Sequence, residues 1–187
     1  KDFWKWRRES SKPEPIAFPI VENDPEYLKS NKSENTITWI GHSTFLLQID
    51  GINILTDPHF TKRASPLSFM GPSRTTPPGL KIEELPFIDF VLISHNHYDH
   101  LDSKTIQLLL KKQNVNQPTF FVPLKLRDIL SKLGARNVME HEWWQMTQFK
   151  NLEIHSVPVQ HWSKRTFNDT NKTCLLYTSP SPRDLAQ

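Results

Sequence analysis

The hexapeptide His95-Asn96-His97-Tyr98-Asp99-His100 constrains this chain more than any other segment. It gathers three imidazoles and a carboxylate in one short run. Imidazole nitrogen and carboxylate oxygen are the non-sulfur ligands that zinc prefers. His95 and His97 stand two positions apart. That spacing cannot place both on one helix face, whereas extended backbone sends alternate side chains the same way. The preceding residues, Ile88-Asp89-Phe90-Val91-Leu92-Ile93-Ser94, form a short apolar run of the kind buried inside a sheet. The sequence therefore predicts a buried strand that delivers a ligand-bearing loop at its C-terminal end, where open α/β sheets place their chemistry. A helix should follow. Asp102 or Ser103 can cap it, and Ile106, Leu109 and Leu110 give it an apolar stripe. Its N-terminus, facing the loop, would suit a phosphate.

The flanking segments read as a mixed sheet with helices beside it, an α/β class. Residues 37–40 form a strand. Phe45, Leu47 and Ile49 alternate with Thr44, Leu46 and Gln48, the pattern of a half-buried strand. Asp50-Gly51 is a two-residue hairpin turn, and residues 52–56 return as its partner until Asp57-Pro58 stops them. Residues 58–86 make a long proline-bearing loop that could wall a pocket. Lys62, Arg63 and Arg74 in that loop could offer charge to an anionic substrate. Strands are also expected over residues 118–122, 138–141 and 152–159. A second helix carries Leu126, Ile129, Leu130 and Leu133 and ends at Gly134.

A length of 187 residues suits one domain, and a net charge of +3 gives no nucleic-acid footprint. The single cysteine, Cys174, excludes a disulfide framework and a thiolate zinc site. The sequence holds no apolar run near the ~20 residues that span a bilayer. A cytoplasmic or peripheral-membrane location is the expectation, and oligomeric state is left open. Residues 1–35 read as an N-terminal extension. Its start, Lys1 to Arg8, interleaves aromatic and basic side chains. That pattern suits either an anionic lipid surface or an arm packing its tryptophans on the domain. Residues 36–173 form the domain. Residues 174–187 continue no earlier pattern and are expected to be a non-native tail.

The 95–100 motif resembles the H-x-H-x-D-H signature of the metallo-β-lactamase superfamily of metal-dependent hydrolases. Thr38-Trp39-Ile40-Gly41-His42-Ser43-Thr44, Leu55-Thr56-Asp57-Pro58, Arg63-Ala64-Ser65-Pro66, Gly71-Pro72 and Gln160-His161-Trp162-Ser163-Lys164-Arg165-Thr166 are similar to its N-acylphosphatidylethanolamine-hydrolysing phospholipase D subgroup. The resemblance runs from about Asn35 to Thr173. It implies the N-terminal portion of an αββα sandwich. It implies two zinc ions in the full-length parent, one on His95, His97 and His161 and one on Asp99 and His100, although such donors also accept iron or manganese. Asp99 would double as the catalytic proton acceptor. His42 and Asp57 would contact substrate or support a ligand imidazole from behind. The implied reaction is phosphodiester hydrolysis by metal-activated hydroxide on a phospholipid. A zinc lactonase or other hydrolase of small anionic substrates is the alternative, and a non-catalytic metal-binding homologue is a third reading. The same resemblance implies that the chain is a piece of a longer parent, truncated at both ends. Alone it is expected to be inactive and poorly soluble, with sheet surface left uncovered.

Overall fold

The computed structural model describes residues 19–67, 69–158, 161 and 165. The aromatic-basic start of the chain, Gln160, Trp162 and the 174–187 string lie outside the described residues.

A short helix, α1 (Pro25–Ser30), begins at Asp24, whose carboxylate accepts from the backbone of Glu26 and Tyr27, with proline at the first helical position. Three strands follow as an antiparallel meander: β1 (Thr36–Gly41), β2 (Thr44–Ile49) and β3 (Ile52–Thr56). Asp50 and Gly51 join the last two with φ of 50° and 75°, the left-handed pair that a tight hairpin requires. From β3 onwards the sheet runs parallel through β4 (Phe90–Leu92), β5 (Thr119–Pro123) and β6 (Val138–His141). Its order is β1-β2-β3-β4-β5-β6. The crossovers carry α2 (Ser103–Lys112) and α3 (Arg127–Lys132). A separate hairpin, β7 (Met146–Phe149) with β8 (Leu152–His155), closes the described part.

The two faces of the sheet bury different material. On one, Leu46, Leu55, Val91, Phe120 and Val122 join a core with Ile106 and Leu109 of α2 and Leu130 of α3. Each such side chain contributes about 1.5–3 kcal/mol when fully buried. On the other, Ile52, Ile54, Phe90 and Phe121 pack against Phe149, Leu152 and Ile154 of the β7–β8 hairpin. Phe90 sits edge-on between Phe121 and Phe149, at 5.5 Å and 4.9 Å. The hairpin therefore covers part of the face that a half sandwich was expected to expose. Ile37 and Trp39 on edge strand β1 stay in solvent.

One alternation inverts the expectation. In β2 the fully buried set is Thr44, Leu46 and Gln48, while Phe45, Leu47 and Ile49 are half-buried, the last two against the smaller cluster. Gln48 can sit inside because its amide is satisfied. It accepts from Asn31 and Thr36, and donates to the Leu28 carbonyl at 2.7 Å and to Asn53 at 2.8 Å. Among the described residues, no helix is long and apolar enough to cross a membrane.

Candidate metal centre

Strands β3 and β4 run side by side, with Thr56 opposite Leu92, so the loops leaving their C-terminal ends emerge together. Asp57, the first residue after β3, donates its N–H to the Leu92 carbonyl at 2.8 Å. Its φ of +36° lies in the left-handed region, which costs a non-glycine residue of order 1 kcal/mol or more. The strained position aims its carboxylate across the gap. Ser94 donates to it twice, N–H to Oδ1 at 2.7 Å and Oγ–H to Oδ2 at 2.7 Å, and His100 donates from Nδ1 to Oδ2 at 2.9 Å. The Ser94 hydroxyl also lies 2.9 Å from Nδ1 of His95. An ionised carboxylate only accepts, so the one hydroxyl proton goes to Asp57 and His95 must donate to Ser94. Nε2 of His95 is thereby left with its lone pair pointing away from Asp57, and so is Nε2 of His100 whenever that ring is neutral. One carboxylate fixes the tautomer of two imidazoles.

Those lone pairs enter two adjacent groups of donors. In the first, Nε2 of His95 is 2.8 Å from Nδ1 of His97 and 3.1 Å from Nε2 of His161, which is 3.4 Å from Nδ1 of His97. In the second, Nε2 of His42 is 2.9 Å and Nε2 of His100 is 3.7 Å from Oδ2 of Asp99. The His95 and His100 rings lie 4.1 Å apart, so the groups are neighbours. Imidazoles about 2.0–2.1 Å from a tetrahedral zinc ion have their nitrogens about 3.3 Å from one another. The trio's separations of 2.8 to 3.4 Å lie around that value, and a central cation satisfies three converging nitrogens together. The donor set fits a divalent metal.

Electrostatics separates the groups. Burial, then the neighbouring charges of His100, His97 and His161, pushes the pKa of His95 down to about 3, so its ring is neutral. At His100 burial pulls downwards, but the Asp57 hydrogen bond and the charges of Asp57 and Asp99 outweigh it, and the pKa is raised. Burial would raise Asp99; His100, a backbone N–H and His42 overcome it and leave the carboxyl below its ordinary value.

The structure brings His95, His97, Asp99, His100 and His161 to one place, with His42 and Asp57 among them. His42 arrives by a bend. The β1–β2 register shifts between Trp39 and Gly41, Gly41 has φ +143° and His42 φ +53°, and the Trp39 indole donates to the His42 carbonyl at 2.9 Å. A side chain on Gly41 would meet the Arg74 guanidinium at 3.0 Å, so this charge of the long loop sits beside the bend. The start of α2 does not offer itself to a phosphate. Asp102 occupies it, accepting from the Lys104 N–H, the Thr61 N–H and the Thr105 hydroxyl.

Sequence reasoning missed Arg165 as a site residue. Its guanidinium donates to the carbonyls of Asn96 at 3.0 Å and Leu101 at 2.8 Å, and to the Ser103 hydroxyl at 2.7 Å. Its cation lies 4.2 Å from the centre of the Tyr98 ring, whose hydroxyl donates to the Arg165 carbonyl. Arg165 is thus stapled to both ends of the ligand loop. Only its place four residues after His161 hinted at this.

Residues 52–179 match the family described as the beta-lactamase superfamily domain. The chain belongs to this superfamily. Its superfamily relatives include an uncharacterized protein of Mycobacterium tuberculosis, 38% identical over 161 residues, covering 85% of this chain and 42% of that protein. N-acyl-phosphatidylethanolamine-hydrolyzing phospholipase D 1 of Caenorhabditis elegans is 38% identical over 144 residues, covering 72% of this chain and 40% of the relative. The chain therefore spans about two fifths of the length of these relatives. Among solved structures, the isothiocyanate hydrolase from Delia radicum gut bacteria superposes with a TM-score of 0.52 at 22% identity, over 68% of this chain and 49% of that one. That likeness supports the superfamily fold.

Proposed function

We propose that this superfamily member carries the zinc-binding part of a hydrolase that cleaves the phosphodiester of N-acylated phosphatidylethanolamines. The observation that carries the metal half is the pair of donor groups whose imidazole tautomers Asp57 sets. The substrate half rests on the relative at 38% identity, named for that hydrolysis. His95, His97 and His161 would hold one ion; Asp99 and His100 a second, with His42 hydrogen-bonded to Asp99. Imidazole and carboxylate donors suit zinc, and iron or manganese compete for the same set.

A divalent ion held by these residues would lower the pKa of its water from about 15.7 to near 7 and so would supply the hydrolytic nucleophile. The chain's own residues do the rest. Neutral His95 keeps its lone pair available at physiological pH. Asp99 stays ionised and stands ready to accept the proton of the attacking water. Asp57 and Ser94 prevent the His95 ring from turning, and Arg165 holds the loop ends. The mechanism uses no side-chain nucleophile, so no covalent intermediate forms. The reacting phosphodiester lies in a lipid headgroup, so the protein would work at a membrane surface.

Equilibrium dialysis of the full-length parent against zinc tests the first half, with two ions per chain expected. Incubation of the full-length parent with N-acylphosphatidylethanolamine vesicles tests the second. Mass spectrometry should detect phosphatidate and N-acylethanolamine, and chelation should abolish both. Zinc binding with cleavage of lactones or small anionic esters alone would replace the substrate and leave the centre standing. A chain that binds no zinc would end both halves.

A further inference from the structure

Residues 60–74 rise from the rim of the metal centre as a closed finger. At its base, the N–H of Phe60 donates to the Thr105 hydroxyl at 3.0 Å and that of Thr61 to Asp102 at 3.2 Å. The two sides are paired. Arg63 and Ser73 form an antiparallel bridge, Ala64 N–H donates to the Pro72 carbonyl at 3.1 Å, and Arg74 N–H to that of Lys62 at 2.9 Å. The Arg63 guanidinium reaches the Gly71 carbonyl at 2.6 Å. Gly71 closes the ring at φ +98°, where a Cβ would lie 2.7 Å from that of Ser65. This pairing preorganises the finger.

What the finger presents is apolar. Leu67, Phe69 and Met70 are 45%, 72% and 58% exposed at its tip. Closing the ring does not require large apolar side chains there, and holding them in water is unfavourable. The finger itself is basic: from Pro58 to Ile82 the sequence contains no aspartate or glutamate, Lys62 and Arg63 lie in it, and the nearest carboxylate at its base, Asp102, is taken up by hydrogen bonds. An apolar end over a cationic base matches the layering of an anionic bilayer, headgroup outside and hydrocarbon within. Two copies meeting tip to tip would bring like charges together, which disfavours self-association through this surface.

We propose that Leu67, Phe69 and Met70 anchor the rim of the metal centre in an anionic phospholipid surface. This deepens the phospholipid-hydrolase reading and rests on it for its biological sense, but it is tested without turnover.

The test is co-sedimentation of the chain, carried on a solubility tag, with vesicles of phosphatidylcholine alone or mixed with phosphatidylserine. The wild type should bind the anionic vesicles more tightly. Leu67→Ser/Phe69→Ser/Met70→Ser should weaken that binding by about tenfold or more. Lys62→Glu should weaken it by a few-fold, an effect that high salt removes. A second measurement guards against a misfolded variant: Phe69→Cys in a Cys174→Ser background, labelled with an environment-sensitive fluorophore. Its emission should shift to the blue on anionic vesicles and be quenched by lipids brominated in the acyl chain. Unchanged sedimentation of the triple variant, absence of the blue shift, or loss of self-association alone in sedimentation velocity would each overturn the proposal. Zinc binding by dialysis is read in parallel. Its failure in the wild type would remove the hydrolase reading and leave the docking result standing.

Discussion

His95 is buried and its ring is neutral, whereas Asp99 and His42 face solvent 2.9 Å apart and partly satisfy each other. The two donor groups share Asp57 behind them, yet one gathers nitrogens alone around buried His95 and the other carries the Asp99 carboxylate at the rim. The lesson concerns what an ion does for each. Three nitrogens converge around buried His95 at the separations that a tetrahedral cation sets, so the trio should hold its ion tightly. Asp99 already has hydrogen-bonding neighbours and water, so the second ion competes with existing interactions and should exchange more readily.

The hardest blow to this contrast is His95→Ala. It removes a trio donor, and the tighter zinc affinity in a chelator competition should fall by more than the ~100-fold upper end expected for an outer partner. Equal loss at both ions would show that burial does not separate them. Asp57→Asn comes next. The amide can no longer accept from Ser94 and His100 as the carboxylate does, so both affinities should drop by roughly 10–100-fold. An effect confined to one ion would refute the shared support.

Acid sharpens the contrast in the metal-free chain. His95 takes its proton near pH 6.5 when unfolded and only at about 3 when folded, so the unfolded state binds more protons in between. Stability should therefore fall as pH drops through that window, by at most ~5 kcal/mol. His100, raised in the fold, contributes the opposite way: its share is full below 6.5 and is lost as pH rises through its folded value. Thermal melts between pH 7 and about pH 4.5 check the net sign, and a higher melting temperature in acid would contradict the neutral pocket. The smallest effect belongs to His42→Ala. It should weaken the second ion by a few-fold and leave the first unchanged; a change in the trio's affinity would mean that the two groups are not separable.

Most of the sheet was legible because its signals are local. Asp50-Gly51 fixed a hairpin by turn chemistry, and residues 138–141 form the predicted strand to the residue. The inverted face of β2 was not legible. Gln48 is buried through partners as distant as Leu28 and Asn53, and alternation alone cannot know which polar side chain will be satisfied. Strand β8 was expected within residues 152–159, but its partner β7 hid for a related reason: Met146-Thr147-Gln148-Phe149 carries too few apolar residues to announce a strand, and it exists because Phe149 completes the Phe90–Phe121 cluster.

By itself, the order of residues determined that imidazoles and a carboxylate leave a buried strand in a single short loop, because ligand spacing and backbone period are properties of neighbours. It also pointed to His161 and Asp57 as companions through resemblance. Only the tertiary structure decided that Asp57 orients two rings at once, that Asp102 closes the start of α2, and that Arg165 binds both ends of the ligand loop. These depend on distances between residues far apart in the chain, and packing, not adjacency, sets those distances.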